Sequence, residues 1–385
     1  MNKILYHLIY FFYLSINLIY PSENILSTDE EKCSTNTSGL YLDVVFVIDI
    51  SEDAAVYDIE RQKGITFQFV ATGNLSMNYK KLQSSRIALI TASDETNVIG
   101  NFSAFNSLSD LANGLRYINS TVSNGKKLDI IKALNTAEEV IKESSRQEHY
   151  KKLVVLFSSH EDIYCELNNN IELNDIGNDI CRRAAEFKNN GYNLMTIRLD
   201  YEGKDPLNKH GIASPCFSLD FDNSITRNML NLALQANCFC QKKFYQVEDT
   251  ANCMKTPECL YLEDIPASYV IAEEMAKDGN SSLVDIRSEA KQNFLLQLTN
   301  NTLPIFIGLN QISRNGTWKW DTGFTFNPSN DYNQFAVGEM DKEGMCASLG
   351  KDYKWYAVDC NDPSFSEAYV YQKRACDATN FCLDL

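Results

Sequence analysis

A chain of 385 residues, 44% hydrophobic and 22% charged, has a globular composition. It exceeds the roughly 250–300 residues at which a single core stops growing, so two domains are expected. Its formal charge of -16 opposes phosphate backbones and anionic lipid, and no Lys/Arg-rich run reverses this locally, which excludes nucleic acid as a partner.

The chain opens with Lys3 and an apolar run over 4–20, broken by His7, Ser15 and Asn17 and followed by polar Ser22-Glu23-Asn24. One positive charge, a short apolar stretch and a polar exit predict a secretory signal peptide over 1–21. The run is marginal for a membrane span, which needs about 20 apolar residues, so membrane attachment is expected only if this segment stays uncleaved. All 12 cysteines lie beyond it, and an even number in an oxidising compartment predicts a disulfide framework. Asn36, Asn74, Asn101, Asn119, Asn280, Asn300 and Asn315 each stand in an Asn-x-Ser/Thr triplet; these are candidate glycosylation sites, and any that is used must be on the surface.

Residues 22–39 form a polar leader expected to be tied down through Cys33. The run Leu42-Asp43-Val44-Val45-Phe46-Val47-Ile48 is then continuous and β-branched, the pattern of a strand buried on both faces of a parallel sheet. Similar runs recur at 86–91, 152–157 and 192–199, with helical stretches at 55–70, 108–118, 128–143 and 180–189 between them. A short strand at 216–219 and a helix at 226–236 close the series. Strands alternating with helices predict a doubly wound α/β domain over 40–237. Cys165 is expected to pair with Cys181.

Cys238, Cys240, Cys253 and Cys259 mark a loop-like, cysteine-rich junction over 238–262, where three pairings among the four are open. From 263 to 376 the pattern changes to helices at 269–277 and 288–298, a strand at 282–286 and aromatic-rich loops, which predicts a separate α+β domain. A tail over 377–385 follows, and Cys376 and Cys382 are candidates to staple it.

In an open α/β sheet, ligands bind at the carboxyl edge of the strands. The first strand ends there in Asp49-Ile50-Ser51-Glu52-Asp53. At these residues the chain resembles the von Willebrand factor A domain, whose first strand runs into Asp-x-Ser-x-Ser and holds magnesium through hard oxygen donors. The resemblance implies a degenerate site of Asp49, Ser51 and Asp53, with Asp53 in place of the second serine. It places Leu128 where the family has a threonine, close to Ser120, Thr121 and Ser123, and Ser159 where the family has a second aspartate. Ser159, His160 and Asp162 lie too close in sequence to form a catalytic set, because such sets converge from distant segments. No nucleophile with a separated base is apparent, and the chain is read as a non-enzyme.

The later domain resembles the C-type lectin fold. The residues that carry this are Ser282-Leu283-Val284-Asp285-Ile286-Arg287-Ser288-Glu289, then Ile305-Phe306-Ile307-Gly308-Leu309, Gly316-Thr317-Trp318-Lys319-Trp320, and Cys346 with Cys360. The resemblance implies a Cys346–Cys360 inner bridge and calcium-dependent sugar binding through a Glu-Pro-Asn loop and a Trp-Asn-Asp strand. Here the loop is Glu339-Met340-Asp341, without its proline, and the strand is Trp355-Tyr356-Ala357, without its oxygen donors. Glu339 and Asp341 are what remains of the calcium loop. Trp318, Trp320 and Trp355 are expected in the core rather than as sugar platforms. The family's outer bridge lacks both cysteines, at Met275-Ala276 and Tyr369-Val370-Tyr371.

The tandem resembles secreted nematode C-type lectin-like proteins with an N-terminal von Willebrand factor A domain. It implies an extracellular recognition or adhesion protein of innate defence, binding glycans or microbial and extracellular proteins. No cofactor is certain; magnesium and calcium are the ions implied, each with a depleted and therefore weak donor set. A metal-independent protein interaction scaffold is the alternative.

Overall fold

The computed structural model describes residues 32–54, 56–78, 80–118, 127–143, 146–147, 149–158, 165, 175–199, 211–249, 254–300, 302–313 and 316–382. The expected signal peptide, Asn119, Asn315, Cys253 and Ser159 to Asp162 lie outside these residues. Two compact units emerge: the first takes in 32–259 together with 374–385, the second 260–373.

The first unit contains β1 (Asp43–Asp49), α1 (Val56–Gly73), β2 (Arg86–Ala92), β3 (Thr96–Gly100), α2 (Leu108–Tyr117), α3 (Ile130–Lys142), β4 (Lys152–Ser158), α4 (Asp175–Asn189), β5 (Asn193–Arg198), β6 (Ser218–Asp220) and α5 (Ile225–Ala236). Its sheet runs β3-β2-β1-β4-β5-β6. Every pair is parallel except β2 with the edge strand β3. All seven residues of β1 are buried, because a central strand is covered on both faces. Val44, Phe46 and Ile48 meet Ile59, Phe69 and Met229 of α1 and α5 on one face, while Val45 and Val47 meet Ala133, Leu134 and Phe187 of α3 and α4 on the other. Each of the larger side chains among these contributes about 1.5–3 kcal/mol of burial. The α/β doubly wound expectation therefore holds. Strand β3 was not anticipated; its sequence, Thr-Asn-Val-Ile-Gly, is short, half-polar and half-exposed, as edge strands are.

At the amino end of β1, the fully buried Asp43 accepts hydrogen bonds from Arg86 (2.8 and 2.7 Å), Arg146 (2.9 Å) and Lys152 (2.6 Å). Burial pushes its carboxyl up, but the Arg86 hydrogen bonds and the three neighbouring cations outweigh this and hold it below the usual carboxylate range. The helices take their starts from local caps. Asp129 accepts from the Lys132 amide at 2.9 Å to open α3, and Ser107 accepts from the Asp110 amide at 3.1 Å to open α2.

The region read as a loop-like junction is ordered into β7 (Tyr245–Asp249) and β8 (Met254–Glu263). Its cysteines also pair differently from the three expected schemes: Cys238 reaches back 205 residues to Cys33, and Cys240 pairs with Cys259. The leader cysteine is thus the partner that the junction count overlooked. Cys165–Cys181, Cys346–Cys360 and Cys376–Cys382 form as expected, and Cys216 is also disulfide-bonded.

The second unit is an α+β assembly of α6 (Tyr269–Asp278), β9 (Ser282–Leu283), α7 (Glu289–Leu298), β10 (Ile305–Asn310), β11 (Lys319–Trp320), β12 (Cys346–Leu349), β13 (Trp355–Val358) and β14 (Ala368–Arg374). Strands run in the order β13-β12-β10-β14-β8, with β11 on β10 and β9 on β14. The strand expected over 282–286 pairs only at 282–283. Gly308 is required on β10, because a Cβ there would stand 2.7 Å from the Leu283 carbonyl oxygen. Asp285 and Lys291, both almost wholly buried, form an ion pair. Thr322 donates to Asp285 at 3.0 Å and Lys291 to Gln372 at 2.9 Å, so the pair's remaining hydrogen-bonding capacity is met inside the protein. Trp318, Trp320 and Trp355 are buried, in line with the expectation of core roles.

Candidate ligand-binding edges

The first candidate edge follows from where β1 stops. Its last residue, Asp49, exchanges two hydrogen bonds with Gln62 of α1: the Asp49 amide donates to Oε1 at 2.7 Å, and Nε2 donates to the Asp49 carbonyl at 2.9 Å. This clamp holds the strand-to-loop turn. The Ser51 amide then donates to Asp49 Oδ1 at 2.9 Å. Asp49 and Ser51 are both fully buried, and Ser51 Oγ has no hydrogen-bond partner. Asp53, by contrast, is exposed.

A magnesium ion needs near-octahedral oxygen donors. Asp49 and the orphaned Ser51 hydroxyl are two buried donors of the right kind. Leu128, at the position of the expected threonine, lies instead in the apolar cluster beneath α3. Ser120, Thr121, Ser123 and Ser159 lie outside the described residues. Among the described residues, no group of three or more His, Cys, Asp or Glu could hold a metal ion. The described donor set does not complete a magnesium shell.

The second candidate edge is the altered calcium loop. Glu339–Asp341 forms a single 3-10 turn entered through Gly338 in the left-handed region at φ +78. Glu339 is buried and paired with Lys342, while Asp341 is exposed. The facing strand offers no carboxylate. Trp355 is fully buried, donates from Nε1 to Gln292 Oε1 at 3.0 Å, and packs against Trp320, Phe326 and Phe335. The Tyr356 hydroxyl donates to Asp352 at 2.6 Å, and Ala357 carries no donor at all. The residues do not fit the calcium site that the resemblance implied. Among the apolar side chains of this unit that stand out in solvent are Val337, which is fully exposed, Phe324 and Tyr353, along with Ile265, Ile271 and Met275.

The structure thus brings Asp49 and Ser51 together in a buried turn, leaves Asp53 exposed, and separates Glu339 from Asp341 by environment. Sequence reasoning missed Gln62 and Lys342. Gln62 was findable as a polar residue on the apolar stripe of α1, between Ile59 and Ile65. Asn36, Asn74, Asn101, Asn280 and Asn300 are exposed.

A model of the von Willebrand factor type A domain matches residues 43–253, more than half of the chain. The chain belongs to the von Willebrand factor type A domain family. A C-type lectin domain model matches residues 265–366, so the A-type α/β domain is followed by a C-type lectin-like α+β domain. Both kinds of domain are typically non-catalytic.

C-type lectin domain-containing protein 160 of Caenorhabditis elegans is 27% identical over 381 residues, covering 92% of this chain and 56% of that protein. The mouse NKG2-D type II integral membrane protein is 36% identical over 96 residues, covering 25% of this chain and 37% of that protein. The chain spans about half the length, or less, of these curated relatives. Among solved structures, the mouse scavenger receptor C-type lectin carbohydrate-recognition domain aligns at TM-score 0.29 and 21% identity, over 35% of this chain and 96% of that one. Proximal thread matrix protein 1 from the mussel byssus aligns at TM-score 0.38 and 16% identity, over 55% and 51%. Among the described residues, no helix is long and apolar enough to cross a membrane.

Proposed function

We propose that this chain is a secreted, glycosylated recognition protein of the nematode type, whose lectin-like domain binds carbohydrate on microbial or other extracellular surfaces without a coordinated calcium ion. The observation that carries this reading is the internal neutralisation of the calcium loop. Glu339 is buried against Lys342, and the facing strand presents Trp355 and Ala357 in place of oxygen donors. With the domain's ion donors absorbed into the fold, the side chains on its loops remain as the groups that could contact a ligand.

Glycan-array binding of the purified chain, measured with calcium and with chelator, tests the reading. Equal binding in both conditions is expected, and strict dependence on calcium would overturn it. The exposed Val337, Phe324 and Tyr353 favour a second reading, a metal-independent protein partner, because exposed apolar side chains suit protein interfaces better than polyols. Absence of any glycan signal, together with capture of a purified extracellular protein that Val337→Asp abolishes, would move the assignment to that reading.

A further inference from the structure

The last described residues do not end the lectin-like unit. Past Lys373 they belong with the A-type unit, and every contact they make there is specific. The Phe239 amide donates to the Cys376 carbonyl at 3.0 Å, and the Cys376 amide returns a bond to Phe239 at 2.9 Å. Asp377, nearly fully buried, accepts from the Ser34 amide at 3.0 Å. Gln83 Nε2 donates both to the Gly39 carbonyl at 2.9 Å and to the Ala378 carbonyl at 2.7 Å, tying the approach to β1 and the tail to one amide.

Packing repeats what the hydrogen bonds show. Ala378 is buried within the same apolar cluster as Phe46 and Phe69. A Cβ added at Gly39 would lie 2.1 Å from the Ala378 carbonyl oxygen, so the backbone before β1 is shaped to receive the tail. The Phe381 ring meets Tyr41 at 4.8 Å, His149 at 5.9 Å and Tyr150 at 6.1 Å between centroids. Tyr41 in turn donates its amide to Asn237 at 2.9 Å and stands two residues before β1. The Cys376–Cys382 bridge closes the loop that presents Ala378 and Phe381.

We infer that residues 374–382 are a strap that completes the A-type unit from beyond the lectin-like domain, so that this domain is an insertion within the A-type chain and the A-type fold depends on the strap. The family match ends at residue 253, well before the strap begins. Closing so long a segment is thermodynamically tolerable, because closure entropy grows only with the logarithm of loop length and the intervening residues fold on their own core. Two remote segments, the leader through Cys33 and the tail through Phe381, therefore clamp the amino end of the central strand.

The test uses the full chain. Hydrogen exchange is followed in peptides from β1, β2 and β4 and, separately, in peptides from β10 and β12, for the parent, Phe381→Ala and Gln83→Ala. Phe381→Ala is expected to speed exchange in the A-type strands at least about tenfold, with β10 and β12 unchanged, because loss of a half-buried anchor packed among Tyr41, His149 and Tyr150 raises the open population of its own cooperative unit. Gln83→Ala is the milder arm, expected to speed the same strands about threefold, and it decides the matter if Phe381→Ala fails to accumulate. Parental protection of the A-type strands in the folded variants, or an equal loss in both units, would overturn the inference.

Discussion

Among the described residues, neither the A-type nor the lectin-like unit completes the ion site of its family, and the two fall short by opposite routes. At the carboxyl edge of β1 the inward donors survive, with Asp49 and Ser51 buried and Ser51 Oγ unsatisfied, while an apolar residue, Leu128, occupies the place of a third. In the lectin-like unit the surviving acid, Glu339, is neutralised by Lys342, and the facing strand has filled with an aromatic core. A missing donor can be restored by substitution at its own position. A donor consumed by its own scaffold is not, because restoring it means breaking a packed cluster.

The two units also differ in how they hold buried carboxylates. Asp43 of the A-type unit faces three cations, and replacing it would leave them without their shared partner. Asp43→Ala is expected to cost the A-type unit about 3–5 kcal/mol, read as a lower urea midpoint in exchange-resolved unfolding, with β10 and β12 unaffected. A loss under about 1 kcal/mol would mean that the cluster behaves as a surface network and would erase this contrast.

Leu128→Thr sharpens the comparison of the two edges. It removes a buried apolar side chain, at an expected cost of about 2–3 kcal/mol, and adds a hydroxyl at the position where the family resemblance implies a threonine ligand. Calorimetric titration with magnesium should then show more binding heat than the parent gives. No gain would place the deficit elsewhere in the edge.

The smallest expected effect is on pH. Burial, reinforced by the neighbouring Glu273 carboxyl, pushes Asp321 of the lectin-like unit up to about 6 from an ordinary 3.8. A carboxyl whose folded value is raised stabilises the fold when protonated, and that contribution is lost as the pH rises through about 6. Between pH 7 and pH 5 the lectin-like unit should therefore gain up to about 1 kcal/mol, discounted for the partial exposure of the group. Asp43, held low, keeps its contribution across that window and loses it only as the pH falls below its ordinary 3.8. Thermal melts of the two units at pH 7 and pH 5 check this, and Asp321→Asn should abolish the lectin-like shift.

Much of the architecture was legible because it rests on local patterns. The β-branched run ending at Asp49 announced a central strand, and its alternation with amphipathic helices announced a sheet covered on both faces. The ordered series from Ser282 to Cys360 carried the lectin-like fold. The sites were legible only as a roster of oxygen donors. That Ser51 is orphaned, that Gln62 clamps Asp49 and that Lys342 neutralises Glu339 are matters of which side chains meet, and spacing alone does not report them. The junction was misread for a related reason: Cys238 looked like the partner of its near neighbours, and β7 and β8 were too polar to stand out as strands.

By itself, the sequence determined the fold classes and the order of their main elements, which follow from periodicity over short windows, while the resemblance carried by its motifs implied the two domain types and the Cys346–Cys360 bridge. Only the tertiary structure decided that Cys33 pairs with Cys238 and that the final residues return to the A-type unit. Those contacts join positions more than 200 residues apart, and no local pattern encodes a partner at that distance. What selects it is the geometry of a finished core: a gap above Gly39 that admits a carbonyl and a cage of aromatic rings that admits Phe381.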